Sequence, residues 1–429
     1  MANILVVYDS VGGNTERMAM LVKEGVEDEG IEADAKPVTE VHQEELLKAD
    51  GVLLGSMSRL GNMSAPMKRF LDDPETGKHY SNPQGVDFFR GWTSENHMAH
   101  KTQTYLFGSH MLGRTEKYNQ WKDYWNRLLD YWAKRGFIET GSGGYVIRTM
   151  GPILNVYDFI IDPVVREKAE MVLDWMWAEW AQENIKGIRG GGKVREYDAY
   201  AAWGEWDSLY NLAYVLFGTG KLTGRLNMHT ILIATTNYYP PDVIIDLAVD
   251  RYGKDTYEIK ERRPQYVWDE SKRYNARRYV YVTPKYILGG FQSDADKKYA
   301  VNEYNIYWDG QQIWSGVIFD TTPNARIYFD DLWSPAKSFV HKNVLILSGL
   351  AFDWKCDGSV IHREAKAVFP DKVLDQIIED AGWIFAREGD VYVAYKSIGG
   401  YTWETKHVKD RYVGKTVKSK NPNQPIILE

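Results

Sequence analysis

The first 28 residues place the strongest constraint on the fold of this chain. Residues 4–8 read Ile-Leu-Val-Val-Tyr, an apolar run that predicts a strand buried on both faces of a parallel sheet. Residues 9–15 follow as Asp-Ser-Val-Gly-Gly-Asn-Thr, and apolar residues at helical spacing come next, namely Met18, Leu21, Val22 and Val26. Glycines and hydroxyls between a strand and a helix direct backbone N–H groups at an anion, and the helix dipole strengthens the attraction. This segment therefore predicts a phosphate-binding loop.

Two more strands are predicted nearby, at residues 32–37 and 51–55. The second is followed by a polar loop at residues 56–63 and by a helical segment at residues 64–71. Strands that alternate with helices predict a parallel α/β sheet, whose ligands bind at the carboxyl ends of the strands. No fourth or fifth strand is predicted after Leu71, so only the first half of such a fold is expected.

The two loops resemble those of the flavodoxin family, and most closely those of FMN-dependent NAD(P)H:quinone oxidoreductases with a flavodoxin-like fold. The resemblance implies FMN as a cofactor, with its phosphate held by Ser10, Gly12, Asn14 and Thr15. It also implies that the isoalloxazine ring is contacted by Arg59, Gly61 and Asn62. Met57 and Leu60 depart from the proline and the aromatic residue often found in the ring-binding loop.

Charge and aromatic content change sharply near residue 75. Residues 1–75 contain 7 Lys and Arg against 15 Asp and Glu, whereas the rest of the chain is almost neutral. All 16 Trp, and all Tyr except Tyr8, lie after this point. Such a change predicts a domain boundary. We expect three parts, at residues 1–75, 76–245 and 246–429.

The middle part is predicted to be helical. Trp, Tyr and Leu recur at steps of three and four residues from Tyr118 to Trp132. Further helices are predicted at residues 152–160, 164–184, 206–217 and 226–236. Helices joined by short turns that contain glycine indicate stacked antiparallel pairs.

The last part changes to the alternation typical of strands. Strands are predicted at residues 278–283, 304–308, 313–319, 344–347, 383–386, 391–395 and 425–428. Only residues 371–381 are predicted to be helical here, and the final strand has no partner that the sequence identifies, so a continuing domain is expected. Many strands with frequent turns predict an antiparallel sandwich. Residues 251–285 hold ten Lys and Arg against five Asp and Glu, which allows either a basic rim for an anionic polymer or a solvated face of mixed charge.

Residues 93–97 read Thr-Ser-Glu-Asn-His and open the helical part. An Asn amide can hold a carboxylate while His removes a carbon-bound proton, which is the chemistry that a uronic-acid polysaccharide lyase needs. Residues 141–149 and 187–197 are predicted loops in which Tyr and Arg alternate with small residues. These features resemble the α/α-toroid of heparinase II/III-like and alginate-lyase-like polysaccharide lyases, and residues 382–403 resemble the β-domain that follows it. About six helices are recognisable, so the toroid is expected to be partial.

This resemblance implies β-elimination on an anionic polysaccharide, with no cofactor required. Asn96 would neutralise the substrate carboxylate, His97 or Tyr145 would act as the base, and Tyr145 would act as the acid. Arg148 or Arg195 would bind the substrate charge, and Tyr197 is a further catalytic candidate.

Simpler structural roles stay open for these residues. Asn96 is equally suited to cap a helix. Histidines such as His97, His100 and His110 commonly pack between helices, and a stripe of Trp is usually core. The glycines at residues 190–192 are compatible with a flexible turn.

Three functional hypotheses follow from the sequence. The first is a polysaccharide lyase that carries a flavodoxin-like segment. The second is an FMN-dependent flavodoxin-like NAD(P)H oxidoreductase in which the remaining residues are auxiliary. The third is a non-catalytic carbohydrate-binding protein.

Other classes are disfavoured. The single cysteine, Cys356, excludes an internal disulfide and any zinc site built from several cysteines, and no metal site is predicted. The basic residues form no nucleic-acid recognition motif. No stretch resembles a signal peptide or a membrane span, so a cytoplasmic protein is expected from the chain as given. The oligomeric state is not predicted.

Overall fold

The structure is a computed structural model. It describes residues 3–56, 58–59, 62–63, 67, 95–137, 139, 141–142, 144–194, 208–220, 228–249, 253, 255–263, 276–293, 300–302, 304–308, 316–320, 337–348, 352–356, 359–363, 366–370, 374–408, 412–421 and 423–429. The chain divides into two compact units, one formed by residues 1–90 and 101–124 and the other by residues 91–100 and 125–429. The predicted division at residues 75 and 245 stays a prediction.

The chain begins with a small parallel α/β sheet. Its elements are β1 (Asn3–Asp9), α1 (Asn14–Asp28), β2 (Glu32–Pro37), α2 (Gln43–Lys48) and β3 (Gly51–Ser56). The strand order is β2-β1-β3, and both pairings are parallel. In the central strand, Leu5, Val6, Val7 and Tyr8 are buried, because each face of β1 is covered. The strands and the first helix are thus confirmed.

Most of the apolar residues whose spacing predicted helix α1 are exposed in the structure. Met18 is 65% exposed, Leu21 62% and Val22 42%. Ala19 is buried and packs with Val6 and Tyr8. The helical period is therefore correct, but the contact with the sheet uses a smaller side chain than the pattern suggests.

Seven further helices lie in the described parts of residues 95–249: α3 (Glu95–Met111), α4 (Thr115–Arg135), α5 (Val146–Phe159), α6 (Pro163–Gln182), α7 (Ser208–Phe217), α8 (Met228–Thr235) and α9 (Asp242–Val249). Five tryptophans are almost completely buried, namely Trp121, Trp125, Trp132, Trp177 and Trp180. The Trp stripe is therefore core, whereas the α/α-toroid stays a prediction. Within the described residues, no helix combines the length and apolar character that crossing a membrane requires.

Helix α5 begins earlier than its sequence suggests. Pro152 was expected near the first turn, where its missing N–H costs nothing, but it lies inside the helix. The helix starts at Val146 because Val146, Ile147 and Met150 are buried. Residues 146–149, which were predicted to be a loop, are therefore helical.

The remaining described elements are strands. Four short ones are β4 (Ser58–Arg59), β5 (Asn62–Met63), β6 (Asn184–Ile185) and β7 (Ile188–Arg189). The others are β8 (Lys193–Val194), β9 (Tyr257–Arg263), β10 (Ala276–Val282), β11 (Tyr286–Ser293), β12 (Ala300–Asn302), β13 (Tyr304–Trp308), β14 (Gly316–Asp320), β15 (Lys337–His341), β16 (Val344–Ser348), β17 (Phe352–Cys356), β18 (Ser359–Arg363), β19 (Lys366–Pro370), β20 (Gln376–Asp380), β21 (Trp383–Glu388), β22 (Val391–Ser397), β23 (Tyr401–Val408), β24 (Tyr412–Ser419) and β25 (Ile426–Leu428).

Two large antiparallel sheets dominate this region. One has the order β23-β24-β19-β14-β13-β11-β10-β9 and the other β15-β16-β25-β22-β21-β20. Leu288, Phe369 and Val417 of the first sheet share a buried core with Leu345 and Tyr395 of the second. The expected antiparallel architecture is confirmed, because two apolar faces cover each other.

Two predictions for the last part are wrong. The helix expected at residues 371–381 is replaced by β20, which forms a hairpin with β21. Ala381 and Gly382 turn this hairpin with φ of 47° and 78°, which matches the twist of the two strands. The final strand β25 is not unpartnered, since it lies between β16 and β22.

A buried ion network joins α6 to the hairpin β6–β7 and to β9–β10. Glu183 at the end of α6 is fully buried and pairs with Arg278 and with Arg189, whose Nε lies 2.9 Å from Glu183 Oε2. Arg189 Nη2 also lies 2.9 Å from Glu179 Oε1, and Arg263 pairs with the same carboxylate. A buried charge needs such partners because it has lost its hydration.

Candidate functional site

The predicted phosphate loop lies at the position in the parallel sheet where the strand order reverses. Strand β2 is on one side of β1 and β3 on the other, so the chain switches sides between them. Asp9 and Ser56 are register partners at the carboxyl ends of β1 and β3. The loops that follow these two strands therefore begin side by side, which is the usual ligand position in such sheets.

The loop after β1 directs backbone N–H groups outward at the start of α1. Gly13 has φ of 79° at the N-cap of α1, and no side chain caps the helix. The first N–H groups of a helix, here including those of Asn14 and Thr15, have no intrahelical acceptor. They point out of the positive end of the helix dipole and attract negative charge.

The same loop has room and an unused donor. A Cβ added to Gly12 or Gly13 would meet no heavy atom within 4 Å. The buried atoms Ser10 Oγ and Asp9 Oδ2 have no hydrogen-bond partner among the described residues. Since buried polar atoms are normally paired, a bound ligand that accepts from Ser10 and donates to Asp9 would complete this site.

Side chains behind the loop hold it against the sheet. The methyl carbon of Thr15 lies 3.5 Å from the position that a Cβ on Gly55 would take, so Thr15 packs over the end of β3. The Tyr8 hydroxyl donates to Glu16 at 3.4 Å. Burial and the Glu16 charge raise the pKa of Tyr8, so the phenol stays protonated.

The predicted ring-binding residues follow β3 directly. Ser58–Arg59 and Asn62–Met63 pair as a short antiparallel hairpin, with Arg59 opposite Asn62. Gly61 lies outside the described residues. The backbone thus places Arg59 and Asn62 opposite each other in one hairpin, and their contacts with a ring stay a prediction.

The structure places Asn96 in contact with a buried carboxylate. Asn96 is 1% exposed, and its Nδ2 donates to both oxygens of Glu139, at 3.2 and 3.0 Å. Glu95 accepts from the Glu139 backbone N–H at 3.2 Å. Asn96 therefore binds a carboxylate of the protein itself, whereas the sequence predicted that it binds the carboxylate of a substrate. Its catalytic role stays a prediction.

His97 and Arg148 lie near His100, and Tyr145 lies against Arg148. Arg148 is exposed, and its guanidinium carbon lies 5.1 Å from the centre of the half-buried Tyr145 ring. Desolvation lowers the pKa of His100 below its usual range, and the charges of His97 and Arg148 lower it further. The four side chains therefore share one neighbourhood, with His97 exposed.

Pro152 explains one contact in this group. A helical proline donates no hydrogen bond to the carbonyl four residues earlier, which here belongs to Arg148. The His100 ring instead forms a hydrogen bond with the Arg148 backbone, and this bond opposes the lowering of the His100 pKa.

The second predicted loop is packed rather than open. Arg195 and Tyr197 lie outside the described residues. Gly190 and Gly191 are buried, and a Cβ on either would collide with Ile287 or with Arg278. These glycines therefore allow close packing against β10 and β11, which is a correction to both the open-loop and the flexible-turn interpretations.

Sequence reasoning missed Asp9 as a site residue and Glu139 as the partner of Asn96. Asp9 could have been identified from its position at the carboxyl end of the first strand. Glu139 carries no local signal, because it lies 43 residues from Asn96.

Comparisons with known proteins agree with the fold of the first segment. No protein-family model matches the chain. A flavodoxin of Aquifex aeolicus is 47% identical over 74 residues, which cover 17% of this chain and 40% of that protein. NAD(P)H dehydrogenases (quinone) of Acidithiobacillus ferrooxidans and Archaeoglobus fulgidus are each 32% identical, over 93 and 97 residues. These matches cover 17% of this chain and 46% and 51% of those proteins.

The matched residues are the N-terminal 75 or so, and this segment has a flavodoxin-like fold. The chain spans about half the length, or less, of the curated relatives that it matches.

Proposed function

We propose that residues 1–75 bind FMN and that the chain is a flavin-dependent oxidoreductase acting between a nicotinamide nucleotide and a quinone. The observation that carries the proposal is the buried hydroxyl of Ser10, which has no partner among the described residues and lies next to Gly12, Gly13 and the start of α1. The similarity of this segment to a flavodoxin and to NAD(P)H dehydrogenases (quinone) supports it.

The donors and acceptors of the loop fit FMN better than inorganic phosphate. Ser10 and the N–H groups of Asn14 and Thr15 can donate to phosphate oxygens. The Asp9 carboxylate would repel a bare phosphate, but it can accept a hydrogen bond from a hydroxyl. FMN carries both a phosphate and a chain of hydroxyls.

Bound FMN would supply a ring that accepts and releases electrons. The residues of this chain would hold the phosphate at the α1 terminus and orient the hydroxyl chain across the ends of β1 and β3. Arg59 and Asn62 would position the ring, by analogy with the loop that they resemble.

The test is a titration of the full chain, stripped of flavin, with FMN and with riboflavin, followed by flavin fluorescence. Riboflavin lacks the phosphate, so we expect FMN to bind roughly 100-fold more tightly, as about two charge-assisted hydrogen bonds would require. Equal affinity would contradict the role of the loop, and no binding of FMN would contradict the proposal. Oxidation of NADH or NADPH by a quinone, with and without FMN, tests the reaction.

A second proposal, β-elimination on a uronic-acid polysaccharide by residues 80–429, is favoured by one observation. His97, His100, Tyr145 and Arg148 lie together, and the lowered pKa of His100 keeps that imidazole neutral and able to accept a proton at neutral pH. Asn96 already holds Glu139, so in this proposal Arg148 is the more accessible group for the substrate carboxylate.

Incubation with a panel of uronic-acid polymers tests the second proposal. β-Elimination creates a conjugated double bond, so ultraviolet absorbance rises as the polymer is cleaved. Tyr145→Phe and Arg148→Gln should abolish that rise. Binding without cleavage would favour the third hypothesis, a non-catalytic carbohydrate-binding protein. If the polymers were neither bound nor cleaved, both hypotheses would be rejected.

A further inference from the structure

A cavity of about 390 Å³ lies on the face of β9 and β10 that is turned away from the ion network. Its lining includes Lys260, Arg262, Arg277 and Tyr279, together with Gly290 of β11 and Ser338 and Val340 of β15. The cavity belongs wholly to the unit formed by residues 91–100 and 125–429. It is independent of the flavin proposal.

The register of the two strands brings two arginines together. Arg262 and Arg277 are direct cross-strand partners, and the next pair on the same face is Lys260 and Tyr279. Glu261 and Arg278, also partners, lie on the opposite face, where they join the ion network. Like charges placed directly opposite each other destabilise a sheet. Folding alone gives no reason for this arrangement.

Neighbouring carboxylates do not compensate the two arginines. Among the residues that the structure describes, neither Arg262 nor Arg277 forms an ion pair, and both are exposed. Lys260 differs, since its Nζ lies 2.8 Å from Glu258. Within the described part of the chain, the two guanidinium groups are therefore open to an external anion.

The opposite wall of the cavity is close and fixed. Gly290 of β11 is the partner of Tyr279, and a Cβ at this glycine would collide with Val340 and lie 3.0 Å from Ser338 Oγ. Only glycine lets β15 approach so closely. Ser338 and Val340 of β15 are both buried and face this glycine, so their side chains form that wall of the cavity.

We propose that Arg262 and Arg277 bind an oxyanion, namely a phosphate, sulfate or carboxylate group, on a ligand that also contacts Tyr279 on the same face of the sheet. Each guanidinium presents paired N–H donors that match two oxygens of such a group. A bound anion would also remove the repulsion between the two cations. The site is thus stabilised by its ligand.

The experiment uses the full chain, with sodium sulfate, phosphate and glucuronate compared against sodium chloride at equal ionic strength. Unfolding is followed by tryptophan fluorescence, because all 16 Trp lie after residue 75. Binding is measured separately by calorimetry. The variants are Arg262→Gln and Arg277→Gln, and Lys415→Gln is the control because it removes an exposed cation from β24 of the same sheet.

We expect the oxyanions to raise the Tm of the wild type, and each arginine variant to bind them about tenfold or more weakly. In chloride alone, the arginine variants should be at least as stable as the wild type, since the like-charge pair is broken. Binding of sulfate and phosphate alone would indicate a phosphorylated or sulfated ligand, and binding of glucuronate as well would indicate a carboxylated sugar.

Two results would overturn the proposal. One is a wild type whose Tm and calorimetric signal respond to no oxyanion beyond the effect of chloride. The other is a response that Arg262→Gln and Arg277→Gln retain in full, as Lys415→Gln is expected to do. In either case the arginine pair would be a solvated surface feature.

Discussion

Ser10 is a residue whose contributions to stability and to ligand binding are expected to differ in sign. Its buried hydroxyl has no partner among the described residues, so Ser10→Ala should leave the free energy of unfolding unchanged or slightly higher. FMN affinity should fall about tenfold, because one hydrogen bond to the phosphate is lost. Urea unfolding and FMN titration of the same variant measure the two effects.

The matched control is Ser397→Ala. Ser397 Oγ is buried 2.9 Å from Ser419 Oγ, so this change breaks a hydrogen bond that the folded protein makes. We expect a loss of about 1 kcal/mol of stability and no change in FMN affinity. A Ser10→Ala protein that lost both stability and affinity would indicate a structural role for Ser10.

Substitutions at Gly12 and Gly13 of the predicted phosphate loop can distinguish destabilisation by backbone strain from destabilisation by lack of space. Gly13 has φ of 79°, and a Cβ there would meet no atom within 4 Å. Gly13→Ala should therefore cost about 1–2 kcal/mol through strain alone. Gly12 has equal room without a positive φ, so Gly12→Ala should be nearly neutral in the same unfolding measurement. Equal losses in both variants would contradict this explanation.

At the scale of elements, the C-terminal end of α6 is held by charge as well as by the packing of Trp177 and Trp180 on Phe217. Glu183→Gln leaves the buried Arg278 and Arg189 without their shared carboxylate, so we expect a loss of about 3–5 kcal/mol. Asp130→Asn is the control, because it breaks an ion pair with Lys168 whose side chains are 57% and 28% exposed. That change should cost about 0–1 kcal/mol. Similar losses in the two variants, measured by urea unfolding, would exclude a special role for the network.

The elements that the sequence predicted best are those with one strong local period. The helix around Trp125 and the strand β1 each repeat one pattern over several turns or residues. Residues 371–381 contain short apolar groups that fit a helix or a strand, and only the turn at Ala381 and Gly382 and the neighbouring β21 decide for a strand. At Pro152 a strong local signal gave the wrong helix start. A proline predicts the first turn of a helix, but buried side chains before Pro152 extend α5 back to Val146.

At the scale of the whole molecule, the ion network should make stability depend on pH. Burial alone would raise the pKa of Glu183, but the charges of Arg278 and Arg189 outweigh it and lower the pKa below its usual range. A lowered pKa stabilises the folded state above the pKa of the unfolded chain, and this stabilisation is lost as the pH falls through the folded pKa. The difference in free energy of unfolding between wild type and Glu183→Gln should therefore shrink on acidification.

Ser397→Ala provides the reference for this pH series. The substitution changes no titrating group. The difference in free energy of unfolding between Ser397→Ala and the wild type should therefore stay constant over the same pH range. Burial raises the pKa of nearby Glu261, and the Glu183 charge raises it further, so Glu183→Gln also removes part of an effect of opposite sign. If the difference in free energy of unfolding between wild type and Glu183→Gln did not become smaller at low pH, Glu183 would not be the group that makes stability depend on pH.

The sequence by itself determined the strand, loop and helix of the phosphate site and most helices and strands beyond it, because these depend on neighbours within a few residues. Tertiary structure alone decided that Glu139 binds Asn96, that β25 lies between two strands, and that Arg262 faces Arg277. Partners and strand register are chosen by burial and pairing between segments far apart in the chain. No local pattern carries that information.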